Sequence, residues 1–118
     1  ARLAGRVFAV ERVSDLAEQA MRRLQDVGVA NVEIIVGDGT LGLPAEAPFD
    51  RIVCGAGAPH VPSAWAEQLA EGGRIVLPLG NRRSQVLTAV DKVEGTLRQQ
   101  PLCDVRFVPL IGEQGWEE

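Results

Sequence analysis

The chain has 118 residues, enough for one domain with a core of its own, and 46% of them are apolar. Only 4% are aromatic and none is tyrosine, so core filling is expected to rest on Val, Leu, Ile and Ala. A net charge of −4 argues against nucleic acid as the main partner, and no run of about 18 apolar residues is present to span a membrane.

The opening residues lack the charged and apolar layout of a signal peptide. Cys54 and Cys103 lie far apart and make no ligand set with His60, the only histidine, so no metal site is expected. Unpaired cysteines suit a reducing, cytoplasmic setting. The basic pairs Arg22-Arg23 and Arg82-Arg83 read as solvated surface.

Residues 6–11 (RVFAVE) form an expected strand that ends in an acid. No glycine-rich cofactor loop precedes it, so the sequence reads as the later part of a cofactor-binding domain whose opening is missing. Ser14 is the expected N-cap of a helix. Val13, Leu16, Ala17, Ala20, Met21, Leu24 and Val27 recur at helical spacing as one apolar stripe, with Met21 packing in the core. Asp15 and Glu18 fall near the positive end of that helix, Arg22 and Arg23 further along. Gly28 supplies a left-handed stop.

Residues 31–36 make the next strand, closing a β-α-β unit whose strands must run parallel. Residues 39–48, rich in glycine and proline, read as a loop with room for one helical turn. Residues 50–54 are a further strand, with Cys54 expected to be buried at its end. Pro62 starts a short helix through Ala70, stopped by Gly72-Gly73. Residues 74–79 are again a strand. Gly80-Asn81-Arg82-Arg83 is too short for a crossover helix, so residues 84–93 should pair antiparallel with it. Glu94-Gly95 turns the chain once more, and Thr96 onward returns as irregular strand to Leu110. The expected fold is α/β, a mostly parallel sheet with an antiparallel C-terminal edge, in one domain over residues 1–118.

Two acids stand at strand ends. Glu11 closes the first strand, where a carboxylate with two acceptor oxygens can receive the hydroxyls of a ribose, or stand only as a solvated strand-end acid. Asp38 lies between Gly37 and Gly39, directly after the second strand; it could hold the amine and ring edge of an adenine, or only close an Asx-type turn. His60, in Ala-Pro-His-Val-Pro, has no nucleophile and no orienting carboxylate in an evident motif, so no catalytic triad is supported and a structural or solvent-facing role is expected. Trp65 and Trp116 should pack, with Trp116 also able to cover a site.

Together, Val36-Gly37-Asp38-Gly39, Ala47-Pro48-Phe49-Asp50, Ala58-Pro59-His60-Val61-Pro62, Leu69-Ala70-Glu71-Gly72-Gly73-Arg74-Ile75-Val76-Leu77-Pro78-Leu79-Gly80 and Val105-Arg106-Phe107-Val108-Pro109-Leu110 resemble the protein-L-isoaspartate O-methyltransferase family. The resemblance runs in register from about Gly5 to about Gly112. It implies a Rossmann-like S-adenosylmethionine-dependent methyltransferase fold lacking its N-terminal part. It also implies S-adenosyl-L-methionine as cofactor and isoaspartyl residues of damaged proteins as acceptors, in protein repair. By the same likeness Glu11 and Arg12 lie at the ribose and Asp38 and Gly39 at the adenine, while Val108, Pro109 and Leu110 border the substrate peptide. No catalytic acid or base is assigned, because the acceptor carboxylate is already ionised at neutral pH.

The glycine-rich loop and the hydroxyl-bearing substrate segment of the family would lie before Ala1. So would a central strand between those at residues 6–11 and 50–54, whose place an upstream segment or a partner chain is expected to fill. Ile111 stands where the family often has a polar residue. Two other readings remain: a non-catalytic binding domain that retains the fold, and a Rossmann-like enzyme using a dinucleotide.

Overall fold

A parallel pair of strands needs a crossover, and the first third of the chain supplies one. In the computed structural model, which describes residues 1–118, β1 (Val7–Glu11) and β2 (Val32–Val36) pair in parallel on either side of α1 (Ser14–Asp26). The chain divides into two units, residues 1–39 and 40–118.

In the first unit the register runs from Val7↔Val32 to Glu11↔Val36, so β1 and β2 finish level with each other. The Gly37 N–H extends the ladder by donating to the Glu11 carbonyl at 3.0 Å. Gly28 ends α1 as expected, with φ +72°. Val29 N–H reaches the Leu24 carbonyl at 2.9 Å and Gly28 N–H the Gln25 carbonyl at 3.1 Å, the paired bonds of a Schellman stop.

Two expectations for α1 change. Ser14 is the first helical residue, not the N-cap; Val13 holds that place with an extended backbone and no side-chain cap. A valine has no acceptor to offer, and it is the Glu11 carboxylate that takes the Val13 N–H, at 3.1 Å. Nor is the apolar stripe a buried core face. Ala17 is its one buried residue, while Leu16, Met21 and Val27 are 51%, 45% and 62% exposed. Within its own unit α1 has only two strands to cover it, and a two-stranded sheet is too narrow to bury a whole helical stripe.

In the second unit, 3₁₀ turns at Gly39–Leu41 and Pro44–Glu46 lead to β3 (Phe49–Val53), α2 (Ser63–Gln68), β4 (Leu69–Gly80), β5 (Gln85–Val93) and β6 (Thr96–Val105). The first of these turns begins on Gly39, the last residue of the first unit. β3 and β4 are parallel; β4, β5 and β6 form the antiparallel meander that the short turn after Gly80 demanded. Ala58, Trp65, Leu69, Ile75, Leu77 and Val90 make the core.

α2 is shorter than expected and passes straight into β4. Phe49↔Leu69 and Arg51↔Arg74 are the flanking pairs, so residues 70–73 bulge from the ladder, with Gly72 at φ +78°. The Gly72-Gly73 break therefore interrupts a strand rather than ending a helix. Lys92 Nζ closes the helix earlier by donating to the carbonyls of Ala66 and Leu69 at 2.9 and 3.0 Å. Glu94 and Gly95 both take positive φ, 52° and 75°, as a two-residue hairpin turn requires. The Glu71 carboxylate receives both of their N–H groups. β6 stops at Val105; beyond it, Pro109 makes a separate parallel bridge with Gly57.

β1 pairs only with β2, and β3 only with β4, leaving each with one unpaired edge. On β3, Val53 is 81% exposed. Open strand edges beside exposed apolar side chains are templates for pairing between chains. Residues 1–118 produced alone are therefore expected to self-associate in sedimentation velocity; a monomer melting cooperatively well above room temperature would overturn this.

Candidate functional site

Because β1 and β2 finish level, the acids that follow them arrive together at one carboxyl edge of the first unit. Glu11 ends β1, and Asp38 stands two residues beyond Val36, the register partner of Glu11. Both are half-buried. The Val13 N–H fixes one Glu11 oxygen at 3.1 Å, and a carboxylate has acceptor sites beyond that one bond. Arg12 is exposed beside it.

The glycines around Asp38 are informative by what they do not do. Neither Gly37 nor Gly39 takes a positive φ, and a Cβ on either would meet only Val10, at ordinary contact distances of 3.8–4.0 Å. The chain's own packing makes no demand for glycine at 37 or 39. What the two missing side chains leave is space next to Asp38, where a flat ring could approach the backbone.

In the second unit Val108, Pro109 and Leu110 form a short extended segment held by Gly57. The Gly57 N–H donates to the Val108 carbonyl at 2.7 Å, and the Leu110 N–H donates to the Gly57 carbonyl at 2.8 Å. Trp116 N–H then binds the Leu110 carbonyl at 2.7 Å. Val108 is 71% exposed, whereas Pro109 and Leu110 are half-buried. The segment thus presents one apolar side chain on a pinned backbone.

Several supporting residues had no sequence signature. Gln68 is buried; its Oε1 accepts the Leu43 N–H at 2.8 Å and its Nε2 donates to the Leu41 carbonyl at 3.1 Å. Gly42, at φ +63°, turns the chain there, and a Cβ would collide with that amide. Gln114 Oε1 accepts the Ser63 hydroxyl and the Ala64 N–H at 3.1 and 3.0 Å, capping α2, while its own N–H reaches the buried Thr40 hydroxyl at 3.1 Å. A glutamine in a sequence is ordinarily a surface residue, so only the fold shows that these are internal.

His60 is exposed, in line with the solvent-facing expectation. Trp65 is 5% exposed in the core. Trp116 is half-buried under the Arg82 guanidinium, 5.3 Å from its ring centre, with its indole N–H buried and without a partner. No cluster of metal-ligating side chains occurs, and no helix is long and apolar enough to cross a membrane. Arg74 donates to both Asp91 oxygens at 2.6 and 3.0 Å, holding that carboxyl below its ordinary range and raising the guanidinium.

A family model described as protein-L-isoaspartate(D-aspartate) O-methyltransferase matches residues 1–115. The chain belongs to that family. Protein-L-isoaspartate O-methyltransferases of Trichlorobacter lovleyi and Geobacter metallireducens are 51% and 50% identical to it, over 99% and 98% of this chain. The chain spans about half the length of these relatives, 54% in both cases. Among solved structures, one protein-L-isoaspartate O-methyltransferase aligns with a TM-score of 0.84 and 32% identity, covering 93% of this chain and 35% of that one. Another, from Plasmodium falciparum and in complex with S-adenosyl-L-homocysteine, aligns with a TM-score of 0.77 and 29% identity, covering 90% of this chain and 52% of that one. The fold is the α/β methyltransferase fold of the family, with the antiparallel C-terminal edge seen in β4 to β6.

Both cysteines are unpaired, and they differ in surroundings. Cys54 is half-buried rather than buried, its Sγ 3.3 Å from the Ala56 carbonyl, and burial pushes its thiol above the ordinary range. Cys103 is exposed. Alkylation followed by mass spectrometry at neutral pH should label Cys103 first, with Cys54 slower by about tenfold or more, since the thiolate is the reactive form. Equal rates would contradict the burial of Cys54.

Proposed function

We propose that this chain is the nucleoside-binding and peptide-bordering part of an enzyme that methylates the carboxylate of L-isoaspartyl residues in damaged proteins. The observation that carries the reading is the family match over residues 1–115. The level ends of β1 and β2, which put Glu11 and Asp38 at one edge, support it.

In this reading Glu11 and Arg12 hold the ribose, and Asp38 and Gly39 hold the adenine, of S-adenosyl-L-methionine. The donor set suits the group. Two half-buried carboxylates can accept from hydroxyls and an amine, and Gly37 and Gly39 keep side chains away from the backbone on either side of Asp38. When bound, the cofactor supplies a methyl group made electrophilic by a sulfonium. The acceptor carboxylate arrives ionised, so the protein has to align the reacting atoms rather than move a proton. Val108, Pro109 and Leu110 border the peptide that carries the acceptor. Unpaired Cys54 and Cys103 suit work in a reducing cytoplasm.

Calorimetry on the full-length protein tests the cofactor site. Asp38→Ala should weaken S-adenosylhomocysteine binding by about 1–3 kcal/mol, the scale of hydrogen bonds to a charged group. Unchanged affinity would remove Asp38 from the site.

Methyl-transfer assays test the reaction itself. The full-length protein should methylate an isoaspartyl peptide and leave the matching aspartyl peptide nearly untouched. His60→Ala should keep most of that activity. A loss of about a hundredfold, the scale of general acid–base catalysis, with the fold and cofactor binding intact would make His60 a proton-transfer group.

A further inference from the structure

The backbone just before the segment at 108–110 is held by a buried side chain from β5. Gln85, the first residue of β5, is 3% exposed, and both ends of its amide are engaged. Its Oε1 accepts the Phe107 N–H at 2.7 Å. Its Nε2 donates to the Asn81 carbonyl at 2.7 Å. Asn81 is itself fixed, because its Oδ1 receives the Arg83 and Ser84 N–H groups at 2.8 and 3.0 Å. The amide therefore ties the chain just before Val108 to a rigid turn between β4 and β5.

Gln85 also lies close against the Gly57 backbone, which binds the segment. A Cβ on Gly57 would come within 2.7 Å of the Gln85 amide carbon, so glycine is what lets the two approach. Gly57 in turn bonds Val108 and Leu110. Gln85 thus sets the entry to the segment and lies against the residue that sets its middle. Neither role needs a charge, and a neutral amide can be buried here at far less cost than an ion because it supplies a donor and an acceptor at once.

We propose that Gln85 is a positioning residue for the peptide substrate: through the Phe107 N–H it fixes the depth and angle at which residues 108–110 meet the acceptor peptide. This rests on the reading of Val108, Pro109 and Leu110 as the substrate border. The consequence is selective. Loosening Gln85 should harm peptide binding and leave the nucleoside site, built from Glu11 and Asp38, largely alone.

Steady-state kinetics and thermal melting of the full-length protein test this with three variants at Gln85 and one at Val108. Gln85→Met keeps the length and bulk of the side chain but removes both bonds. It should raise KM for an isoaspartyl peptide about tenfold, equivalent to about 1.4 kcal/mol, with KM for S-adenosylmethionine unchanged within about twofold. Gln85→Glu retains an oxygen for the Phe107 N–H but sets its other oxygen against the Asn81 carbonyl, so its peptide KM should fall between those of the methionine variant and the unsubstituted protein. Should Gln85→Met fail to fold, Gln85→Asn, which keeps the amide but shortens its reach by a methylene, carries the same expectation as the methionine variant.

A lowered melting temperature with both KM values unchanged would make Gln85 purely structural and overturn the inference. Glu and Met variants equally impaired would overturn it too, as would parallel rises in both KM values. Val108→Arg separates the inference from its premise. If that change leaves the peptide KM untouched, the substrate-border reading fails. If it raises the peptide KM while Gln85→Met does not, the border stands and the positioning role falls.

Discussion

Wherever a loop leaves a sheet edge, its peptide groups lose the ladder that satisfied them, and something else must take over. In the second unit Glu71 and Lys92 take part of that task, and buried or half-buried glutamine amides take another part. Gln68 holds residues 41 and 43, Gln85 holds residues 81 and 107, and Gln114 caps α2. Glutamine suits the position because its amide mimics a peptide group, with an acceptor oxygen and donor hydrogens, on a stem long enough to reach a neighbouring loop. These bonds are part-buried, so losing one would cost up to about 1–3 kcal/mol, the scale for an unsatisfied buried group. The conformations of the edge loops depend on these contacts more than on their own turn chemistry.

The same requirement explains where glycine is and is not needed. Gly42 and Gly57 lie flush with a glutamine amide, so a Cβ would displace the bond donor or acceptor. Gly37 and Gly39 face no such neighbour. Glycines of the first kind serve the protein's own packing; those of the second leave room beside Asp38. A sequence prints the same letter for both, and only the surroundings tell them apart.

The α1 stripe shows how a correct pattern can still misjudge burial. Helical spacing from Val13 to Val27 is real, and α1 forms within a residue of the expected start. Period reports which face is apolar, not whether anything covers it. With two strands beneath, Ala17 is buried while Leu16 and Met21 stay exposed. The Gly72-Gly73 pair misled in a related way. It does interrupt regular structure, but as a bulge in β4, because Lys92 had already closed α2 from a strand far along the chain.

Local chemistry was enough to determine the β-α-β unit, the Gly28 stop, the Glu94-Gly95 hairpin and the antiparallel meander. Each follows from propensities and connection lengths within a few residues, and so is written in the order of the letters. The acids at Glu11 and Asp38 were legible for the same reason, since each directly follows or ends a strand. Tertiary structure alone decided that the strands leading to these two acids end level, through the register of β1 on β2. It alone decided that residues 108–110 pair with Gly57 rather than continue β6, and that Gln68, Gln85 and Gln114 hold the edge loops. Apart from Gln85 to Asn81, four positions apart, those contacts join residues from 22 to 74 positions apart, and a partner at that distance is set by how the elements pack, which no local run of residues encodes.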